Sequence, residues 1–308
     1  MPGCCQHHNL FFMKAMRVVL FTCLLCFTLK TFSQDEDLLK LVGDDKPKKE
    51  YVDYSYKSTR VIMSQSLEPL RPGTMDFRIL HRFGNVNQGG YQFFGLDQAT
   101  MRMGFDFGIT KDFMLGIGRS TNKKEFDGFL KYRLIHQSKG PHSLPFSLLA
   151  VAGGTMQTLK WADPARKNYF TSRLAFYWQA IIGSKLSEGL TLQIMPTILH
   201  RNLVPTTDDP NDMYAAGIGG RIKLSKRISL NFDYYYRINN NKNDGTHNPL
   251  SVGFDIETGG HVFQLHFTNA IGMNERIFLT ETTNNWGKGD IQFGFNLSRT
   301  FQLKKKKG

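Results

Sequence analysis

From residue 74 almost to the end of the chain, apolar and polar side chains alternate with a period of two, the pattern of extended strands with two chemically different faces. In TMDFRILHRFG, residues 74–84, Met75, Phe77 and Ile79 fall on one side and Asp76, Arg78 and Arg82 on the other. Residues 100–110 set Met101, Met103, Phe105, Phe107 and Ile109 against Arg102, Gly104, Asp106 and Gly108. Residues 126–134 set Phe126, Leu130, Tyr132 and Leu134 against Asp127, Lys131 and Arg133. Leu174, Phe176, Trp178 and Ile182 then oppose Arg173, Tyr177 and Gln179, and Leu190, Leu192, Ile194 and Ile198 oppose Thr191, Gln193 and Thr197. The alternation returns at 214–224, 228–238, 250–257 and 261–267.

The connections alternate as well. TKD at 110–112, SKLSEG at 184–189, LSKR at 224–227 and TGG at 258–260 are tight, while LKWADPARKN, RNLVPTTDDPND, NNNKNDGTHNP and residues 269–289 are long and polar. Short turns at one end and long loops at the other are how outer-membrane barrels are built, whereas a sandwich has Greek-key crossovers and no such ladder. The pattern predicts an all-β fold, a closed antiparallel transmembrane barrel of about 12 strands, each of roughly 9–11 residues. An even number leaves both ends of the barrel segment on the short-turn, periplasmic side. Fourteen strands stay open if a strand near Val61 finds a partner in RIFLTET at 276–282.

Alternation alone does not say which face meets water. The apolar run VVLFTCLLCF at 18–27 follows Lys14 and Arg17 and precedes the small residues Thr31 and Ser33, which predicts a signal peptide over 1–33, with 1–12 as an untranslated preface. All four cysteines, Cys4, Cys5, Cys23 and Cys26, fall in that leader. An exported chain without thiols suits passage through an oxidising periplasm. After residue 33 no apolar run approaches the roughly 18 residues of a membrane helix. The apolar rows are therefore expected to face lipid and the charged rows to be enclosed, because hydrocarbon satisfies no unpaired backbone group and only a closed barrel pairs them all. Residues 34–73 are polar and aperiodic, read as a periplasmic extension or plug segment; 74–303 form the barrel, and 304–308 a basic tail.

HRFG at 81–84, FFGLDQA at 93–99, GIGRSTNKKEFDGFLKYRL at 116–134 and GFNLSRTFQL at 294–303 resemble the recurring blocks of a bacterial family of outer-membrane β-barrel proteins of unknown function. The resemblance spans most of the chain after the leader. It implies a barrel in a Gram-negative outer membrane and supplies no substrate or catalytic residue.

The net charge of +13 invites a nucleic-acid reading, but basic and acidic residues are interspersed and export removes the opportunity. The inward phase collects the candidate lumen-lining residues Asp76, Arg78, Arg82, Arg102, Asp106, Asp127, Lys131, Arg133, Arg173, Arg221, Asp233, Arg237 and Asp255. In a narrow barrel such charges interlock and fill the lumen; in a wider one they line water and bias ion passage, here toward anions because the basic members outnumber the acidic. The expected functions are passive or facilitated passage of small solutes or, alternatively, a closed structural or binding barrel without transport. An enzyme, such as an outer-membrane hydrolase, is not expected: no Gly-x-Ser-x-Gly, HExxH, phosphate loop or calcium loop is present, and no cofactor or metal site is read. Expected partners are membrane lipid and lipopolysaccharide, the latter through Arg119, Lys123 and Lys124. The barrel-assembly machinery is a third, reading the aromatic closing strand IQFGFNLSRTF, although QLKKKKG follows Phe301 where such signals end on the aromatic. Trp161, Trp178, Trp286, Tyr234 and Tyr236 are candidates for the interfacial girdle.

Overall fold

The computed structural model describes residues 48–239 and 245–303. The signal peptide, its preface, residues 34–47 and the basic tail lie outside the described residues.

A two-residue strand, β1 (Glu50–Tyr51), opens the described chain. The barrel follows with β2 (Thr74–Asn85), β3 (Ala99–Gly108), β4 (Phe113–Ser120) and β5 (Phe126–Ile135). A second short strand, β6 (Ser138–Lys139), pairs with β1 and interrupts the series. Then come β7 (Ser147–Met156), β8 (Leu174–Lys185), β9 (Leu190–Arg201), β10 (Asp212–Lys223), β11 (Ile228–Arg237), β12 (Leu250–Thr258), β13 (His261–Thr268) and β14 (Gln292–Gln302). Twelve of these strands pair antiparallel with their sequence neighbours, and β14 pairs with β2 in the register Ser298↔Arg78, so the sheet closes and leaves no edge.

The two faces differ as the alternation predicts. Along β2, Thr74, Asp76, Arg78, Leu80 and Arg82 are buried, and the residues between them are partly exposed. Outward residues such as Ile117, Leu130, Trp178 and Ile194 expose more than half of their surface (52–55%). A water-soluble protein does not present a belt of this size; it is a lipid-facing surface. Outward neighbours meet across strands, the tilted rings of Phe77 and Phe105 with centroids 5.2 Å apart.

The short-turn end holds the hairpins β3–β4, β8–β9, β10–β11 and β12–β13. The last is closed by Gly259 and Gly260 alone, both at positive φ (51° and 122°). Two-residue hairpins demand that backbone, which glycine adopts without a Cβ clash. One connection at this end, residues 136–146, is longer than a tight turn and carries β6.

RIFLTET at 276–282 forms no strand. Its first five residues belong to a six-residue helix, α1 (Glu275–Thr280), capped by Asn274, whose Oδ1 accepts from the Ile277 N–H at 3.0 Å. All six helical residues are buried. Around Val61 the only pairing is one bridge, Arg60↔Gln65. The barrel therefore has twelve strands and not fourteen.

Candidate functional site

The interior of the barrel is occupied. Residues 52–73 run inward from the short-turn end, and α1 folds in from the long-loop end. Ser55, Tyr56, Ser58, Thr59, Arg60 and residues 61–67 are all buried. This stretch, VDYSYKSTRVIMSQSLEPLRPG, forms no ladder, so the polar groups of its buried backbone need partners from the wall.

The wall supplies them. Asp233 on β11 places Oδ2 where it accepts the N–H groups of Ile62 (3.3 Å), Met63 (2.9 Å) and Ser64 (2.9 Å) and the Ser64 hydroxyl (2.9 Å). Lys131 on β5 does the converse: its Nζ donates to the carbonyls of Thr59 (3.1 Å), Ser66 (3.0 Å) and Glu68 (3.3 Å). Gln193 on β9 accepts from the Leu67 N–H and donates to the Gln65 carbonyl. Gln264 on β13 and Asn296 on β14 donate to the carbonyls of Val61 and Ile62. Thr191 and Arg221 both donate to the Ser55 carbonyl. Thr59 closes the remaining side, donating to Asp106 at 3.2 Å and accepting from Arg78 at 2.6 Å. Charge-assisted bonds of this kind are roughly twice as strong as neutral ones, and each wall residue left without its partner would be a buried, unsatisfied group.

The helix is held by ions. Arg60 of the plug lies 3.3 Å from Glu275 at the start of α1, so plug and helix meet inside the barrel. Arg276 donates from Nε to Glu125 Oε1 at 2.8 Å and from Nη2 to Glu125 Oε2, and also pairs with Glu281, which Lys123 reaches at 2.7 Å. Around these groups lies an apolar core that includes Val61, Ile62 and Met63 of the plug, Phe278 and Leu279 of α1, and the inward residues Phe129, Leu149, Val151, Ile181, Met195 and Leu199. The arc of β5 to β9 thus sets apolar side chains among its inward polar ones, and these pack against the plug and helix.

Of the expected lumen-lining residues, Asp76, Arg78, Arg82, Arg102, Asp106, Asp127, Lys131, Arg133, Arg221, Asp233, Arg237 and Asp255 are buried on the inner face. The structure brings Arg102 and Asp127 into a two-bond fork, Nε to Oδ1 at 2.8 Å and Nη2 to Oδ2 at 2.5 Å. Arg78 pairs with Asp76 at 2.7 Å. Asp255 accepts from Gln264 at 2.9 Å, and Arg237 turns to Asn248 and Thr246 in the β11–β12 loop. Arg173 is the correction. The strand begins only at Leu174, and Arg173 sits in the preceding turn, 3.8 Å over the Trp161 ring and donating to the carbonyls of Gln157 and Leu159. It belongs to the long-loop rim because the strand phase does not extend past the strand.

His81 stacks on Phe295 on the lipid face, with centroids 4.9 Å apart, and His200 Nδ1 lies 2.6 Å from Asp212. Among the described residues no three or more His, Cys, Asp or Glu converge where a metal ion could be held.

At the short-turn mouth, outside the spanning strands, burial pushes the Glu68 carboxyl up to about 7 against the opposing pull of Arg133 and of the Ser55 N–H. A carboxyl raised on docking favours the docked plug below its free value and loses that contribution as pH rises through about 7. Opening of residues 52–73, read as hydrogen-exchange protection after division by the intrinsic exchange rate at each pH, is therefore expected to be easier at pH 8 than at pH 5.5, and Glu68→Gln should flatten the difference. An unchanged pH dependence in that variant would remove Glu68 as the cause.

Several solved structures are similar to the chain in fold. A NanC porin aligns at 8% identity with a TM-score of 0.46, over 74% of this chain and 100% of that one. An outer-membrane channel from Pseudomonas putida F1 aligns at 14% identity and 0.43, over 75% and 97%. Omp33 of Acinetobacter baumannii aligns at 8% and 0.39, over 74% and 98%. No curated protein sequence matches at significance. A family profile described as "Membrane bound beta barrel domain (DUF5777)" covers residues 56–301, the inner segment from Tyr56 through the closing strand. The chain thus belongs to this family of membrane-bound barrel domains, and its place is the outer membrane.

Proposed function

We propose that this outer-membrane barrel is sealed: a closed structural or binding barrel whose lumen is filled by its own residues 52–73 and by α1, and which passes no ions at rest. The observation that carries the reading is the acceptance by Asp233 Oδ2 of four hydrogen bonds from residues 62–64, opposite Lys131, which donates to three plug carbonyls. A segment held from β2, β3, β5, β9, β10, β11, β13 and β14 is a seated plug rather than a loosely collapsed tail. Purified protein in planar bilayers is expected to give no stable conductance steps. Steady open channels from the intact chain would overturn the proposal.

A second reading, passage of small solutes after the plug moves, has one feature in its favour. The plug is tied to the wall by side chains and adds no strand to the barrel ladder, so its withdrawal leaves all twelve strands paired. The basic excess of the lining then predicts a weak anion preference.

Two contacts with the envelope follow from the same frame. The outward Phe293, Phe295, Leu297 and Phe301 of β14 suit recognition by barrel-assembly machinery. Lys124 and Arg119, the latter stacked on Phe126, stand at the outer rim where lipopolysaccharide phosphates lie.

A further inference from the structure

β9 carries a proline in its middle: Pro196 is the seventh of its twelve residues, and a proline brings no N–H to a ladder. Toward β10 the register runs unbroken through Pro196↔Ala216, so the missing N–H faces β8. There the pairing holds at Gln179↔Thr197, resumes at Ile182↔Ile194 and is absent between them. The carbonyl of Ala180, which the register sets opposite Pro196, is left without its donor. Ala180 is the seventh of the twelve residues of β8, so this carbonyl lies at mid-depth, where hydrocarbon offers nothing in place of the lost bond.

The gap lies in the floor of a groove on the lipid face. Cross-strand partners line up there as Tyr132↔Ala150, Ala150↔Ala180, Pro196↔Ala216 and Ala216↔Tyr236, so a row of small residues crosses β7, β8, β9 and β10 between two tyrosines. The next outward rows are bulky, with Trp178, Ile198 and Tyr214 on the outer side and Ile182, Ile194 and Ile218 on the periplasmic side. Between them the wall sinks into an apolar groove of about 690 Å³. Gln179 and Thr197 line it although their side chains are buried on the inner face, so the groove reaches the backbone at the gap itself.

Small residues let two surfaces in a membrane approach closely. An acyl chain would fill the groove but carries no N–H or O–H for Ala180. The barrel itself carries them: Tyr132, Trp178 and Tyr214 border the groove, each about half exposed, and their two phenols and indole N–H make no hydrogen bond among the described residues. One face thus holds an acceptor that lacks a donor beside three donors that lack an acceptor. In an isologous pair, with its two-fold axis along the membrane normal, each copy answers the need of the other. We propose that two copies of this barrel associate side by side through the β7–β10 face, their rows of small residues crossing at the contact, with the Ala180 carbonyl of each accepting from an aromatic side chain of the other. The assignment does not depend on whether the lumen is sealed.

Energy transfer between copies labelled at Ser225→Cys with a donor or an acceptor dye, in phosphatidylcholine–phosphatidylglycerol vesicles over a range of protein-to-lipid ratios, tests it. Transfer is expected to follow a reversible dimer. Ala150→Trp and Ala216→Trp place bulk on side chains that are exposed on the lipid face, so the barrel still folds, and each should weaken association by about 10-fold or more. Pro196→Val gives Ala180 its N–H and should weaken association by a few-fold while raising the stability of the folded single barrel, a split that lost packing alone does not produce. Phe77→Trp, on β2 across the barrel, should leave association unchanged. Single barrels at every ratio, with or without a lipid retained in the groove, growth past the dimer without limit, or association indifferent to the groove substitutions would overturn the assignment.

Discussion

Deletion of residues 52–70 is expected to turn a silent barrel into a conducting one, with discrete open steps in planar bilayers where the intact chain gives none. Pro72 and Gly73 remain to start β2, whose first residue is Thr74. None of the twelve barrel strands borrows a ladder partner from the deleted segment, so the wall stays closed. The groups it releases, Asp233, Lys131, Gln193 and Arg221, are those best able to take water in its place. A barrel of about eight strands is just wide enough for side chains to fill it, and one of 16–18 leaves an aqueous channel, so twelve leaves a lumen that something must occupy. The helix would remain, anchored through Arg276 to Glu125, but Glu275 loses Arg60. Removing α1 as well should raise the conductance further. The selectivity should lean weakly to anions, and a deletion channel with strong cation preference would contradict the charge reading of the lining.

The second large effect lies in the wall. Arg102→Met should destabilise the folded barrel by about 3–5 kcal/mol, because it leaves the Asp127 carboxylate buried and unpaired. The guanidinium lies flat over glycine: a Cβ on Gly118 would stand 2.2 Å from Arg102 Nη2, and one on Gly104 2.6 Å from Nη1. The strands have been kept bare where the fork rests. Removing both charges together, Arg102→Met with Asp127→Leu, should restore most of the loss, since a buried pair exchanged for apolar groups of similar volume is often neutral. Denaturant midpoints of the gel-mobility shift between folded and unfolded barrel would measure both. A single substitution costing under about 1 kcal/mol would mean that the pair is solvated.

Much of this architecture was legible in the residues. Phe105 and Asp106 are adjacent and opposite in character, and repetition of that contrast over stretches of strand length, with turns alternately short and long, carries the barrel and its strand number. The contents of the lumen were not legible in the same way. Residues 52–73 have no period because they form no regular element; their backbone is satisfied by Asp233, Lys131 and Gln193, some 60 to 170 positions distant along the chain. The helix is six residues long, too short for an amphipathic stripe, and its single local signal is the cap at Asn274. Arg173 was misplaced by carrying the phase one residue beyond the strand. One signal was present: Leu149, Val151, Ile181, Met195 and Leu199 occupy inward positions on β7, β8 and β9, where an open lumen calls for polar side chains. Apolar inward residues mean that something apolar packs against them, and Val61, Ile62 and Met63 do.

Thiol accessibility tests the sealed lumen most directly, since the chain from residue 34 onward contains no cysteine. Ser64, buried in the plug beneath Asp233, and Ser225, exposed in the β10–β11 turn, each replaced singly by cysteine, give a matched pair. In the folded protein Ser225→Cys should react with a polar maleimide at once, and Ser64→Cys should stay unmodified until the barrel is unfolded. Equal labelling rates at the two positions would contradict the account.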